Sequence, residues 1–142
     1  MLTRYANAGK YFNSACCIYA TAPFLTAEIL KKTREVLVSS SFDAVIPVAR
    51  FSYPIWRSLK REGSGRIELN WPEHLNSRSQ DLQPAYHDVG QFYWFRPEAF
   101  LKTCVLMGSN TGSIVIPESQ VQDIDTEEDW RIAEWKHERM FG

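Results

Sequence analysis

Hydrophobic and polar positions follow distinct rhythms along this chain, and the rhythms predict its elements. Ser14 to Ala20, SACCIYA, is a short continuous apolar run of the kind found in a strand buried on both faces. Ala27 to about Ser39 has the spacing of an amphipathic helix, with Ile29, Leu30, Val36 and Leu37 turned inward and Thr26 placed as the N-cap. Ala44 to Ala49, AVIPVA, is a second apolar run. Strand, helix, strand in this order predicts a βαβ unit in a mostly parallel sheet. Upstream, Leu2, Tyr5 and Ala6 share one helical face; that helix starts without a cap and Gly9 can close it.

From 51 to 81 the rhythm breaks. RSLKREGSGRIELNW predicts two extended flanks around the turn Glu62-Gly63-Ser64-Gly65, a projecting β-hairpin. The apolar side chains of Trp56, Ile67, Leu69 and Trp71 would then need a partner, so residues 51–77 are expected to be a dimerisation arm within one domain, 1–142. NSRSQDLQPAYHDVG reads as a polar loop. Gln91 to Phe95, QFYWF, follows as a strand whose alternation sends half of its rings to the core, and Pro97 suits the first position of a short helix. SIVIPE and VQDID read as extended, and 127–139 as the last helix.

Composition narrows the class. At 142 residues and 44% apolar content the chain can bury the core of one globular domain. Sixteen Lys and Arg against seventeen Asp and Glu give no electrostatic case for nucleic acid. No run of 18 apolar residues offers a membrane span, and Met1 to Asn13 lacks the apolar centre of a signal peptide, so a soluble cytoplasmic protein is expected. Cys16, Cys17 and Cys104 form neither a disulfide framework nor a CxxC spacing and are read as reduced core thiols. An aromatic content of 13% points to a sugar-binding surface or a large buried interface. HExxH, GxSxG, P-loop and GxGxxG patterns do not occur.

The densest chemistry lies in VQDIDTEEDW, Val121 to Trp130, with five carboxylates in ten residues. Thr26-like capping explains three of them: Thr126 suits an N-cap, Glu127 and Glu128 suit the positive end of a helix dipole, and Asp129 falls where a capping box needs it. Asp123 and Asp125 remain, and a strand would project them to one face. They are either solvated carboxylates at a strand end or hard ligands holding Mg²⁺ beside a phosphate-bearing substrate. Thr21 to Leu25 fills the turn after the first strand, where parallel α/β sheets bind ligands, and the helix after Thr26 has amides to offer an anion. Arg78, Gln80 and Asp81 crowd polar groups into one loop; the alternatives are a carboxylate grip by Arg78 and a solvated loop. Tyr86, His87, Asp88, Gln91, Phe92 and Tyr93 mix rings and amides in a way that suits a polyhydroxylated ligand. His87 beside Asp88 has no nucleophile spaced to complete a triad, and His74 and His137 are read as surface residues.

Taken together and in order, CCIYATAPF, RSQDLQPAYHDVGQFYW and VQDIDTEEDW resemble the acylneuraminate, or CMP-sugar acid, cytidylyltransferases, and most closely their pseudaminic-acid branch. The resemblance runs over nearly the whole chain. It implies a nucleotide-diphospho-sugar-transferase-like α/β fold, usually dimeric. It also implies a reaction in which the anomeric hydroxyl of a nine-carbon sugar acid attacks the α-phosphate of CTP, giving CMP-sugar and pyrophosphate. By the same resemblance Asp123 and Asp125 are the catalytic, Mg²⁺-binding pair, Arg78 and Gln80 belong to the sugar-contact loop with Arg78 facing the sugar carboxylate, and 51–77 is the arm that packs across a homodimer. Thr21, Ala22, Tyr86, Gln91, Phe92 and Tyr93 would line the substrate pocket.

Two departures qualify the match. Where sialic-acid enzymes carry Gln-Pro-Thr-Ser-Pro-Leu-Arg, this chain has Tyr19 to Leu25, with Tyr19, Ala22 and Leu25 at the Gln, Ser and Arg positions, which favours pseudaminic over sialic acid; legionaminic acid stays open. The family's CTP-binding loop of Arg-x-Gly-Ser-Lys type, with its Lys-Asn pair, is not in this sequence. The expectation is therefore the C-terminal portion of such an enzyme, short of roughly its first third, binding CTP poorly by itself and prone to self-association. The alternative is a catalytically inactive fragment that acts only as a sugar-acid-binding or oligomerising module.

Overall fold

Local signals set the helices where the sequence places them. Helix α1 (Leu2–Asn7) opens at Met1 with no side-chain cap and closes before Gly9, which adopts φ 71°. The first strand, β1 (Ala15–Ile18), leads to α2 (Ala27–Ser39), whose Ile29 N–H donates to the Thr26 hydroxyl at 3.3 Å, the expected cap. Strand β2 (Ala44–Arg50) follows, then the hairpin strands β3 (Leu59–Arg61) and β4 (Ile67–Leu69) and the short β5 (Tyr86–Asp88). Strand β6 (Phe92–Phe95) runs into α3 (Pro97–Thr103), with Pro97 in its first turn; β7 (Thr111–Val115) and α4 (Glu127–Phe141) complete the chain.

The computed structural model describes all residues, Met1–Gly142, as an α/β protein of two units: Met1–Ala49 with Asp88–Gly142, and Arg50–His87. In the first unit β6 lies between β1 and β2 and is antiparallel to both, with Phe95 opposite Ala15 on one side and Ala44 on the other. On its other edge β2 pairs in parallel with β7, from Ala44 opposite Thr111 to Val48 opposite Val115. Strands β1 and β2 point the same way, as a βαβ connection requires, but β6 returns between them. The sheet is therefore mixed, and β2–β7 is its parallel pairing, which corrects the expectation of a mostly parallel sheet.

The position of β6 explains two further corrections. As the inner strand it is enclosed on both faces, so Phe92, Tyr93 and Phe95 are all buried and the expected alternation is absent. As the outer strand, β1 is half open: Ile18 is 50% exposed, so the SACCIYA run is not a strand buried on both faces. Cys16 is half-buried and packs against the core, whereas Cys17 and Cys104 are exposed, so these two free thiols are not core residues. The core groups Leu37 of α2, Val45 and Ala49 of β2, Phe92 of β6 and Ile114 of β7. Arg96 ties these layers together by donating to the carbonyls of Leu37, Ser40 and Phe42 at 2.8, 2.9 and 2.9 Å, which satisfies the open end of α2. The Phe42 ring fills the space that a side chain at Gly112 would need.

In the second unit β3 and β4 form the predicted hairpin, Leu59 opposite Leu69 and Arg61 opposite Ile67, with Gly65 at φ 90° in the turn. Trp56 meets Trp71 edge-on at 5.4 Å and donates its indole N–H to the Gln83 carbonyl at 2.8 Å. Tyr53, Leu59 and Ile67 stay exposed. No helix is long and apolar enough to cross a membrane.

Candidate functional site: an acidic loop and a tyrosine pair

Residues 121–126 have no regular secondary structure, so VQDID is not the strand its alternation suggested. The segment has no strand beside it; side chains hold its backbone instead. Lys136 Nζ donates to Val121 O at 2.6 Å, to Gln122 Oε1 at 3.0 Å and, at longer range, to Glu118 O at 3.4 Å. Gln91 Nε2 donates to Gln120 O at 2.8 Å. Asp129 closes the far end: its Oδ2 accepts the N–H groups of Asp125 and Thr126 at 3.3 and 2.9 Å and the Thr126 hydroxyl at 2.7 Å, while its own N–H donates to Thr126 Oγ1 at 3.2 Å. This is the capping box read from the sequence. The Thr126 hydroxyl, followed by backbone N–H groups, holds the Asp129 carboxyl below the usual carboxylate range.

Between these anchors Asp123 and Asp125 stand exposed, and the chain's ion pairs, Arg66–Glu68, Arg78–Asp81 and Lys102–Glu98, involve neither. Ile124 turns the other way, into a cavity of about 380 Å³ that Pro23, Trp130 and Ala133 also line. No group of three or more His, Cys, Asp or Glu side chains is placed to hold a cation. Two unpaired carboxylates two residues apart nevertheless fit Mg²⁺, which commonly takes one or two carboxylates and completes its shell with water and phosphate oxygens.

Beside this loop lies a cluster that local sequence patterns did not bring together. The Tyr19 N–H donates to Gln91 O at 2.9 Å, which extends the β1–β6 ladder by one residue and sets the Tyr19 ring edge-on to Tyr93 at 5.5 Å. The two hydroxyls are 3.2 Å apart, and the Tyr93 hydroxyl also bonds Asp88 Oδ2. Asp88 Oδ1 accepts the Gly90 N–H at 3.2 Å. Burial first, and then the Asp88 hydrogen bond, push the Tyr93 hydroxyl far above the ordinary range of a phenol. Gly90 takes a left-handed φ of 59°, which favours glycine, and lies between the two groups: a Cβ there would be in ordinary contact with Tyr19 Cε2 at 3.6 Å and Asp123 Oδ1 at 3.9 Å. Tyr19, Asp88, Gly90, Tyr93 and Asp123 are thus neighbours just beyond the end of β1.

The other expected site residues fall in several places. Thr21 is exposed and Ala22 half-buried in the turn before α2, where Ala22 O accepts the Leu25 N–H at 3.3 Å. Gln91 and Phe92 are 1% and 0% exposed, enclosed in the core, and Gln91 supports the acidic loop from behind. Arg78, Gln80 and Tyr86 are exposed members of the second unit, with Arg78 bound to Asp81 at 3.0 Å. His87 packs on Phe51, and His74 on Trp56. Residue spacing gave no sign that Tyr19, Asp88 and Lys136 would act together with these residues.

Comparison with known sequences shows what the chain is similar to: pseudaminic acid and N-acylneuraminate cytidylyltransferases. A pseudaminic acid cytidylyltransferase of Campylobacter jejuni is 34% identical over 124 residues, 87% of this chain and 53% of that protein. A Helicobacter pylori protein named pseudaminic acid cytidylyltransferase and UDP-2,4-diacetamido-2,4,6-trideoxy-beta-L-altropyranose hydrolase is 31% identical over 84% of this chain and 23% of its own length. N-acylneuraminate cytidylyltransferase A of Danio rerio is 29% identical over 84% of this chain and 28% of its own. No protein-family model matches the chain. The chain spans about half the length of the Campylobacter relative.

Proposed function

We propose that this chain supplies the sugar-acid-facing part of a cytidylyltransferase that transfers CMP from CTP to a nine-carbon sugar acid, pseudaminic acid, and releases pyrophosphate. The observation that carries this reading is the 34% identity to a pseudaminic acid cytidylyltransferase over 87% of the chain. The geometry agrees with it, because an exposed acidic loop lies beside a tyrosine pair suited to a hydroxylated ligand. In this reading Asp123 and Asp125 would hold Mg²⁺, which when bound would supply charge neutralisation for the phosphates of CTP. Lys136, Gln91 and Asp129 keep the two carboxylates in place. Arg78 exchanges its surface partner Asp81 for the sugar carboxylate, a grip that a planar guanidinium makes well. The exposed Tyr53, Leu59 and Ile67 of the second unit serve a homodimer contact. A reaction that draws on CTP belongs in the cytoplasm.

The test has two readouts. Calorimetric titration of this chain with pseudaminic acid is expected to show binding. Pyrophosphate release, measured on the natural gene product with CTP, Mg²⁺ and pseudaminic acid, is expected to be lost in Asp125→Asn and to be weak with N-acetylneuraminic acid. Absence of pyrophosphate release with any nine-carbon sugar acid, or full activity in both Asp123→Asn and Asp125→Asn, would refute the reading.

A further inference from the structure

Tyr19 and Tyr93 each carry one hydroxyl proton, and Asp88 determines where both of them point. A carboxylate at neutral pH only accepts hydrogen bonds, so the Tyr93 proton must be given to Asp88 Oδ2. Tyr93 is 5% exposed, and burial with the Asp88 bond keeps its hydroxyl protonated. With that proton engaged, the Tyr93 oxygen offers lone pairs alone. The 3.2 Å contact between the two hydroxyls is then a hydrogen bond only if Tyr19 is the donor. Tyr19 is 44% exposed, and what its oxygen has left to show the surroundings is lone pairs.

We infer that Tyr19 is a specificity-determining residue, presenting to the sugar acid a hydrogen-bond acceptor whose polarity Asp88 fixes through Tyr93. This rests on the functional reading above. The ligand group that meets Tyr19 is therefore a donor, a hydroxyl or an amide N–H, and not a carboxylate or an ether oxygen. The Tyr19 ring and the Asp123 carboxylate lie against the same Gly90, so this acceptor stands next to the acidic loop. Asp88 and Tyr93 are positioning residues, acting through Tyr19.

The arrangement can be reversed almost without change of shape. In Asp88→Asn, the side-chain oxygen keeps the Gly90 N–H and the new amide nitrogen takes the place of Oδ2. That nitrogen donates to Tyr93, Tyr93 donates to Tyr19, and the Tyr19 proton is turned outward against a donor on the ligand. Adding Tyr93→Phe breaks the relay and lets the Tyr19 hydroxyl rotate freely.

The test is titration calorimetry with pseudaminic acid, paired with NMR of ring-labelled tyrosine. Tyr19→Phe, at a half-exposed site, is expected to raise Kd about tenfold, the loss of one hydrogen bond. Asp88→Asn is expected to raise it at least as much, while Tyr93→Phe alone changes it about twofold and, added to Asp88→Asn, recovers most of the lost affinity. The wild-type Tyr93 hydroxyl proton should resist exchange with solvent; Asp88→Asn should shift its signal, as its acceptor changes from a carboxylate to a phenol, and Tyr93→Phe should remove it. Wild-type binding that is matched by Asp88→Asn and Tyr19→Phe overturns the inference alone. No binding of pseudaminic acid by the wild type overturns the functional reading, and the inference with it.

Discussion

Lys136→Met asks whether the acidic loop is held by one half-buried cation contact. The substitution keeps an unbranched apolar stem on α4 and removes the ammonium that bonds Val121 O at 2.6 Å and Gln122 Oε1 at 3.0 Å. A hydrogen bond to a charged group contributes about 1.5–3 kcal/mol, and a buried acceptor left unpaired costs a similar amount. Val121 is 7% exposed, so its carbonyl loses a partner that water replaces poorly, whereas the half-buried Gln122 amide can turn outward. The 3.4 Å contact with Glu118 O is too long to add much. The expected loss is therefore about 2–3 kcal/mol, which for a chain of this length lowers Tm by roughly 5–10 °C. Thermal unfolding followed by circular dichroism measures the total, and amide exchange localises it, with protection falling first in 118–126. A Tm within about 1 °C of wild type, with unchanged exchange in that segment, would show that Lys136 does not hold the loop.

Two further outcomes follow from the same geometry. Burial foremost, with Cys17 adding, pushes the Cys16 thiol up to about 11, so at pH 8 only about one Cys16 in a thousand is thiolate. Iodoacetamide should label exposed Cys17 and Cys104 well before Cys16, and mass mapping that finds Cys16 labelled as fast as the others would refute this. Asp129 has a folded-state pKa below its ordinary 3.8, so its stabilising contribution is present above that value and is lost as pH falls through the lower, folded one. The Tm difference between wild type and Asp129→Asn should therefore close in acid, and a gap that persists to the lowest pH at which the protein folds would contradict the role given to the capping box.

What could be read in the sequence is what residues within four positions decide. Thr26 and the start of α2, Thr126 with Asp129 at α4, Pro97 at α3 and Gly65 in the hairpin all lie on short-range signals, and the structure places each where the sequence put it. The errors lie where distant residues decide. An apolar run looks the same in an outer strand as in an inner one, and β1 is outer because Phe92–Phe95 inserts beside it from far along the chain. VQDID alternates like a strand but has no strand neighbour, and side chains of Lys136 and Asp129 bond its backbone at Val121 and Asp125. Gln91 and Phe92 resemble pocket residues in sequence, yet the inner position of β6 encloses them. Tyr19 and Tyr93 are 74 positions apart, and no local pattern could show that they share a hydrogen bond.

The insertion of β6 between β1 and β2 also has a consequence for biosynthesis. When the ribosome has completed Arg50, both flanking strands exist, but the strand that joins them, starting at Phe92, lies roughly 40 residues ahead. At about 5–20 residues per second the nascent chain carries two unpaired apolar segments for some 2–8 seconds, while the residues of the hairpin unit are being made. Slowing translation between Arg50 and Phe92 would lengthen that window, so soluble yield should depend on codon choice in this stretch more than elsewhere in the gene.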